Sequence, residues 1–136
     1  MAAVRARILN CLNPEDYIGS EVDSSRVESS GEKYPKYKFE KIPIINSSED
    51  KLPWADNSFD MIFVSLCLHH INAKSCKLIF KEFRRVLKSN GKILGIEPAL
   101  IDGKYFSNVL MNILDAGDYI LPLNKYREMY KSESFT

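Results

Sequence analysis

Leu52-Pro53-Trp54-Ala55-Asp56-Asn57-Ser58-Phe59-Asp60 runs without interruption into the apolar stretch Met61–Leu68, and this juncture restricts the chain's possible folds more than any other segment. A polar turn delivers the backbone directly into a continuously hydrophobic strand. A strand without apolar/polar alternation is expected to be buried on both faces, as in a parallel sheet covered by helices. Polar residues return at His69-His70, where such a strand would end. Open parallel sheets place their ligand crevices outside the carboxyl ends of the strands.

The flanking segments fit this arrangement. Val4, Ile8, Cys11 and Leu12 recur at helical spacing up to Asn13-Pro14, where proline restricts its predecessor and closes the element. Tyr17–Val22 is β-prone, and Ser24-Ser25 with Glu28 offers hydroxyl caps for a short helix up to Gly31. Tyr37–Ile45, interrupted by Pro43, suits an edge strand because proline cannot donate to a ladder. Asn72 is a good N-cap for a helix over Ala73–Lys88. Cys76, Ile79, Phe80, Phe83, Val86 and Leu87 form its apolar face, and Lys77, Lys81, Glu82 and Arg85 its polar one. Asn90-Gly91 predicts a left-handed C-terminal cap, and Lys92–Glu97 the next strand, stopped by Pro98. Strand and helix alternate from Tyr17 to Glu97, which argues for an α/β fold with parallel strands. Beyond Pro98, one helix is expected through Phe106, Val109, Leu110, Ile113 and Leu114, and another through Tyr126, Met129 and Tyr130. The predicted organisation is a core over 1–98 and a helical segment over 99–136 that covers a cleft.

Charge and cysteine content exclude several classes. Lys plus Arg number 19 against 18 for Asp plus Glu, so no field steers the chain to nucleic acid or an anionic membrane, and a small molecule is the expected partner. Cys11, Cys67 and Cys76 are odd in number and lack C-x-x-C spacing. They read as small hydrophobes in a reducing compartment rather than disulfides or zinc ligands. Arg5 and Arg7 interrupt any signal-like stretch, and no apolar run approaches the ~20 residues of a membrane span. A cytoplasmic location follows as the expectation.

The phrase Leu52–Asp60 with its strand and His-His pair resembles the segment through the fourth strand of class I S-adenosylmethionine-dependent methyltransferases of the type 11 group. Phe83-Arg84-Arg85-Val86-Leu87-Lys88-Ser89-Asn90-Gly91-Lys92 is similar to that family's E-x-x-R-V-L-K-P-G-G segment before the fifth strand. The resemblance implies a Rossmann-like, doubly wound parallel sheet with strand order 3-2-1-4-5 and S-adenosylmethionine as cofactor. It also implies that the sequence given lacks the first strand, the glycine-rich D-x-G-x-G loop after it and the C-terminal hairpin. Binding of the cofactor by this stretch alone is accordingly expected at ~mM or weaker, since the cleft is less preorganised.

The resemblance further assigns site residues. Glu21, at the end of the second family strand, matches the acid that accepts both ribose hydroxyls, with Asp23 as the fallback. Two such charge-assisted bonds contribute on the order of 1.5–3 kcal/mol each. Ser48, with Glu49 beside it, falls where the family receives the adenine amino group; Leu66, Cys67 and Leu68 fall where the backbone lines the methionine moiety. Trp54 is expected to pack over the adenine loop. Adjacent His69 and His70 point in different directions and have no third histidine, so structural or pocket-lining roles are expected ahead of metal binding or base chemistry. No catalytic base is assigned, and neither the methyl acceptor nor the oligomeric state is set by the sequence. Two other readings remain open: a non-catalytic methyltransferase-like interaction module, and a nicotinamide-binding Rossmann protein, which would require a G-x-G-x-x-G turn not present in the sequence.

Overall fold

The computed structural model describes Leu9, residues 11–114 and residues 119–132. Val4 and Ile8 of the expected first helix lie outside the described residues. The chain divides into two compact units, Met1–Ile44 and Ile45–Thr136.

The first unit is a β-α-β module. Strand β1 (Ile18–Glu21), helix α1 (Ser24–Lys33) and strand β2 (Lys38–Lys41) follow one another, and β1 and β2 pair in parallel from Ile18↔Lys38 to Glu21↔Lys41. Gly19 gives β1 its inward face, because a side chain there would occupy the space of the Phe39 ring. Tyr17 packs edge-on against Tyr37 and Phe39 at centroid distances of 5.6 and 6.2 Å. The Tyr37 hydroxyl donates to the carbonyl of Leu9, which is itself buried. The cap of α1 differs from expectation. Asp23, rather than Ser24 or Ser25, is the N-cap and accepts both the Ser25 N–H (2.9 Å) and the Ser25 hydroxyl (2.8 Å). These bonds hold the Asp23 carboxyl below the usual carboxylate range. The helix passes through Gly31 to Lys33, since a glycine with helical neighbours weakens a helix without ending it.

The second unit holds β3 (Phe59–Ser65), a 3-10 turn at Leu68–His70, α2 (Ala73–Val86), β4 (Leu87–Ile96), α3 (Tyr105–Leu114) and α4 (Leu123–Ser132). Strands β3 and β4 pair in parallel through Met61↔Lys92 to Ser65↔Ile96. The described strands form two parallel two-stranded ladders, one in each unit. In the family order 3-2-1-4-5 they correspond to the 3-2 and 4-5 pairs. Asn72 caps α2 as expected, accepting the Ser75 N–H at 3.0 Å, and Cys76, Ile79, Phe80, Phe83, Val86 and Leu87 form the core.

Three expectations for this unit are corrected. Helix α2 stops at Val86 instead of Lys88, and Asn90-Gly91 is not a left-handed cap: Leu87 is already extended (φ −79°, ψ 141°). Strand pairing begins at Phe59↔Leu87 and resumes at Met61↔Lys92, so Lys88–Gly91 form a bulge, with buried Gly91 closing it against the Leu87 side chain. Strand β3 is buried on one face only. Met61, Phe63, Leu94 and Ile96 are between 37% and 53% exposed, because the helices of the second unit do not bury that side of the pair. Of the cysteines, only Cys76 is a core residue; Cys11 and Cys67 are exposed. No helix among the described residues is long and apolar enough to cross a membrane.

Removing Phe80, 2% exposed and edge-on to Phe83 and Tyr130, is expected to cost ~3–5 kcal/mol as Phe80→Ala, from lost burial plus a cavity. Phe106→Ala, at a site 88% exposed, is expected to stay within ~0.5 kcal/mol. Urea unfolding of the two variants checks this contrast, and equal losses would contradict the assigned core.

Candidate functional site

Two carboxylates and one guanidinium build the site region of the second unit. Glu82 and Arg85, one helical turn apart on α2, grip the turn that precedes β3. Arg85 Nη2 donates to the Leu52 carbonyl (3.0 Å), and Nη1 to the Trp54 carbonyl and to Asp56 Oδ1 (both 2.8 Å). Glu82 accepts the Leu52 N–H at 2.8 Å and the Arg85 guanidinium at 2.7 Å. The turn returns the contact: the Asn57 and Ser58 N–H groups donate to the Arg85 and Val86 carbonyls at 3.0 and 2.7 Å. These loop amides cap the end of α2, which explains why the helix needs no glycine cap. Asn57 supports the geometry at φ 55°, a left-handed conformation that asparagine tolerates better than most residues. The Arg85 hydrogen bonds, followed by the Leu52 N–H, hold the Glu82 carboxyl below its ordinary range against the opposing effect of burial. The two acceptors Glu82 and Asp56 push Arg85 further up. Glu82, expected on the solvated face of the helix, is only 8% exposed.

The second carboxylate, Glu97, follows β4. It accepts the Cys67 N–H (2.9 Å), the Leu68 N–H (3.1 Å), the His69 N–H (3.4 Å) and, at 2.8 Å, the His69 ring through Nδ1, which therefore carries the proton. Both side chains are at most 5% exposed. This nest of backbone donors holds the turn that leaves β3. Leu66 begins that turn at φ 51°, a conformation unusual for a bulky residue and costing on the order of 1–3 kcal/mol, and its N–H donates to the Ile96 carbonyl at 2.8 Å. The Tyr119 N–H donates to the His69 carbonyl at 2.9 Å, fixing the far side of the turn. Burial, with Cys67 and Glu97 adding to it, pushes the Cys76 thiol up to about 11.

The expected site residues fall as follows. Glu21 ends β1 in the first unit, half-buried, and its carbonyl accepts the Ile42 N–H at 2.9 Å. Asp23 is occupied as the α1 cap. Ser48 and Glu49 are exposed at the tip of a turn that Asp50 organises by accepting the Asn46 and Ser47 N–H groups at 2.9 and 2.8 Å. Leu66 and Cys67 are brought together with Glu97 at the end of β3. Trp54 packs edge-on to Phe59 at 5.1 Å, and His70 is exposed with its ring 4.0 Å from that of His69. Sequence reasoning missed the roles of Glu82 and Glu97. The E-x-x-R spacing was a usable signal for the first; the second depends on a contact 28 to 30 residues away in the chain.

Comparison with known proteins gives a consistent answer. The sequence matches the family described as a methyltransferase domain over residues 3–95. Among solved structures, the YcgJ protein of Bacillus subtilis is similar with 23% identity and a TM-score of 0.60, covering 85% of this chain and 50% of that one. A putative methyltransferase of Bacillus halodurans C-125 has 11% identity and a TM-score of 0.63, covering 85% and 51%. A protein of Pyrococcus horikoshii OT3 has 15% identity and a TM-score of 0.64, covering 86% and 61%. The chain spans about half the length of the first of these structures. Against curated proteins it has no match.

Arg85→Ala is expected to cost about 1–3 kcal/mol, because it strands the Glu82 carboxylate and two loop carbonyls in a part-buried setting. Lys81→Ala, on the exposed side of the same helix, is expected to be neutral. Since the folded state lowers the Glu82 pKa, its contribution is complete above the ordinary value of 4.5 and is lost as pH falls through the lowered one. Urea midpoints measured from pH 7 to pH 3 should therefore decline less steeply in Glu82→Gln than in the parent; parallel profiles would contradict the assignment.

Proposed function

The chain belongs to the methyltransferase domain family, and on that premise we propose that it acts in S-adenosylmethionine-dependent methyl transfer to a small-molecule acceptor. The observation that carries the reading is the clamp of Glu82 and Arg85 on Leu52–Asp56. It joins the two sequence phrases that resemble the family into one structural device, set directly before β3.

The residues present suit the cofactor by their chemistry, each within its own unit. Glu21 offers a carboxylate at a strand end, the acceptor required by a vicinal ribose diol. Ser48 and Glu49 offer a hydroxyl and a carboxylate to an adenine amino group, at the tip of a turn already ordered by Asp50. Leu66 and Cys67 offer apolar surface to the methionine portion, on a turn whose amides Ile96 and Glu97 have already engaged. When bound, the cofactor supplies an electrophilic methyl group on a sulfonium. The chain's own work is then to hold, orient and exclude water, so rate enhancement comes chiefly from proximity and alignment. No residue is assigned as a base. A second reading, a non-catalytic interaction module, is favoured by the uncovered apolar face of Met61, Phe63, Leu94 and Ile96.

Titration with S-adenosylhomocysteine at up to millimolar concentration, followed by amide chemical shifts, tests the assignment. Shifts are expected at Leu66, Cys67 and residues 46–50. In a chain that carries the glycine-rich loop, Glu21→Ala should weaken binding ~10–100-fold. Shifts confined to residues other than Leu66, Cys67 and 46–50, or unchanged affinity in that Glu21→Ala variant, would overturn it. Binding without methyl transfer to any small-molecule acceptor would favour the interaction module.

A further inference from the structure

Helix α3 presents its largest side chains to solvent. Tyr105, Phe106, Val109, Leu110 and Ile113 are between 41% and 88% exposed, and the ten residues of the helix carry no charge. At about 100° of rotation per residue these five fall within an arc of about 140°. Asn108 lies outside that arc and ties the helix to the chain before it: its side-chain amide donates to the Ile101 carbonyl at 2.9 Å, and its oxygen accepts the Ile101 N–H at 3.0 Å. The polar side is thus the anchored one, and the apolar side is turned outward.

Two physical constraints argue that this side has a partner. An isolated helix below ~12–15 residues is marginal in water and takes most of its stability from packing an apolar face, and α3 has ten residues. Monomeric proteins also rarely expose a contiguous apolar patch beyond a few hundred Å². Here the open area is on the order of 600 Å², taking ~150–250 Å² for a whole aromatic side chain and less for an aliphatic one.

The chemistry of the patch selects the partner. With no charge on α3, an acidic or basic peptide gains no matched ion pair, and the cationic face by which amphipathic helices hold anionic bilayers is missing. A surface of the same composition fits, and homodimer contacts are the more apolar class of interface. A second α3 laid antiparallel across a two-fold axis sets apolar against apolar along the whole helix and opposes the two helix dipoles. The area agrees: two such faces bury about 1,200 Å² in total, the lower bound of a stable interface.

We propose that α3 is the contact through which two copies of this chain pair, helix against antiparallel helix, with Phe106 and Ile113 towards the two ends of the seam. An interface at this lower bound gives a weak dimer, with a Kd of ~10–100 μM. At low micromolar concentration the chain is then a monomer, in which Phe106 adds little to stability.

Sedimentation equilibrium of the full chain from ~5 to ~500 μM tests the proposal. The weight-average mass is expected to rise from 15.6 kDa towards twice that value, and to do so equally in ~0.1 M and ~0.5 M salt, because the contact contains no ion pair. Phe106→Glu and Ile113→Glu should each raise the Kd ~tenfold or more, since each buries a charge without a partner. Both should keep the parent's urea midpoint at low micromolar concentration, as each residue is exposed in the monomer. Met61→Glu, on the exposed face of β3, should leave the dimer unchanged. A mass that stays at 15.6 kDa throughout overturns the proposal, and co-sedimentation of that monomer with phosphatidylcholine vesicles would assign α3 to a lipid surface instead. A dimer that survives both α3 substitutions, or that only Met61→Glu disrupts, places the contact elsewhere and equally overturns it.

Discussion

The carboxylate of Glu97 holds the end of β3 in place, and the candidate site depends on it. A charge at this depth is costly unless its lone pairs are used, and here four donors use them: three consecutive backbone N–H groups and the His69 ring. Hydrogen bonds to a charged group contribute on the order of 1.5–3 kcal/mol each before desolvation is subtracted. That is enough to hold Leu66 in a conformation that costs about 1–3 kcal/mol. The strain and its compensation meet at the position where the family resemblance places the cofactor's methionine portion. The same carboxylate forms part of the wall of a recess beside α4, so one residue orders the turn after β3 and shapes its surroundings.

At the opposite end of β3, the Glu82–Arg85 pair plays the corresponding part. An isolated surface ion pair contributes little, but this one is part-buried, and its guanidinium also satisfies the carbonyls of Leu52 and Trp54. In return, the loop amides of Asn57 and Ser58 cap the last carbonyls of α2. Loop and helix end are thus mutually dependent. This gives a physical reason for the two phrases to occur together: neither the turn nor the helix terminus is complete without the other.

Periodicity in the sequence was enough to locate β1 to β4 and the helices after Asn72 and Pro122, because each has an apolar pattern of the right period and a recognisable stop. What it could not show was the consequence of distant contacts. Glu82 reads as a solvated helical residue until Leu52, 30 residues away, is brought to it. Asn90-Gly91 has the composition of a cap, yet the strand ladder claims Leu87 first and turns the segment into a bulge. A continuous apolar run reports that a strand can be buried on both faces; whether both are covered depends on the other elements, and Met61 and Phe63 are left exposed. Leu66 and Cys67 could be placed at the end of β3 from the apolar run alone, whereas the residue that fixes them, Glu97, carried no local signal.

The central claim is that Glu97 preorganises the turn following β3, and amide hydrogen exchange tests it most directly. The account predicts that Cys67, Leu68 and His69 exchange slowly in the parent protein, Cys67 despite its exposure, and that Glu97→Ala restores near-unprotected rates at all three while the amides of α2 around Phe80 keep their protection. Fast exchange of these three amides in the parent, or protection that survives Glu97→Ala, would contradict it.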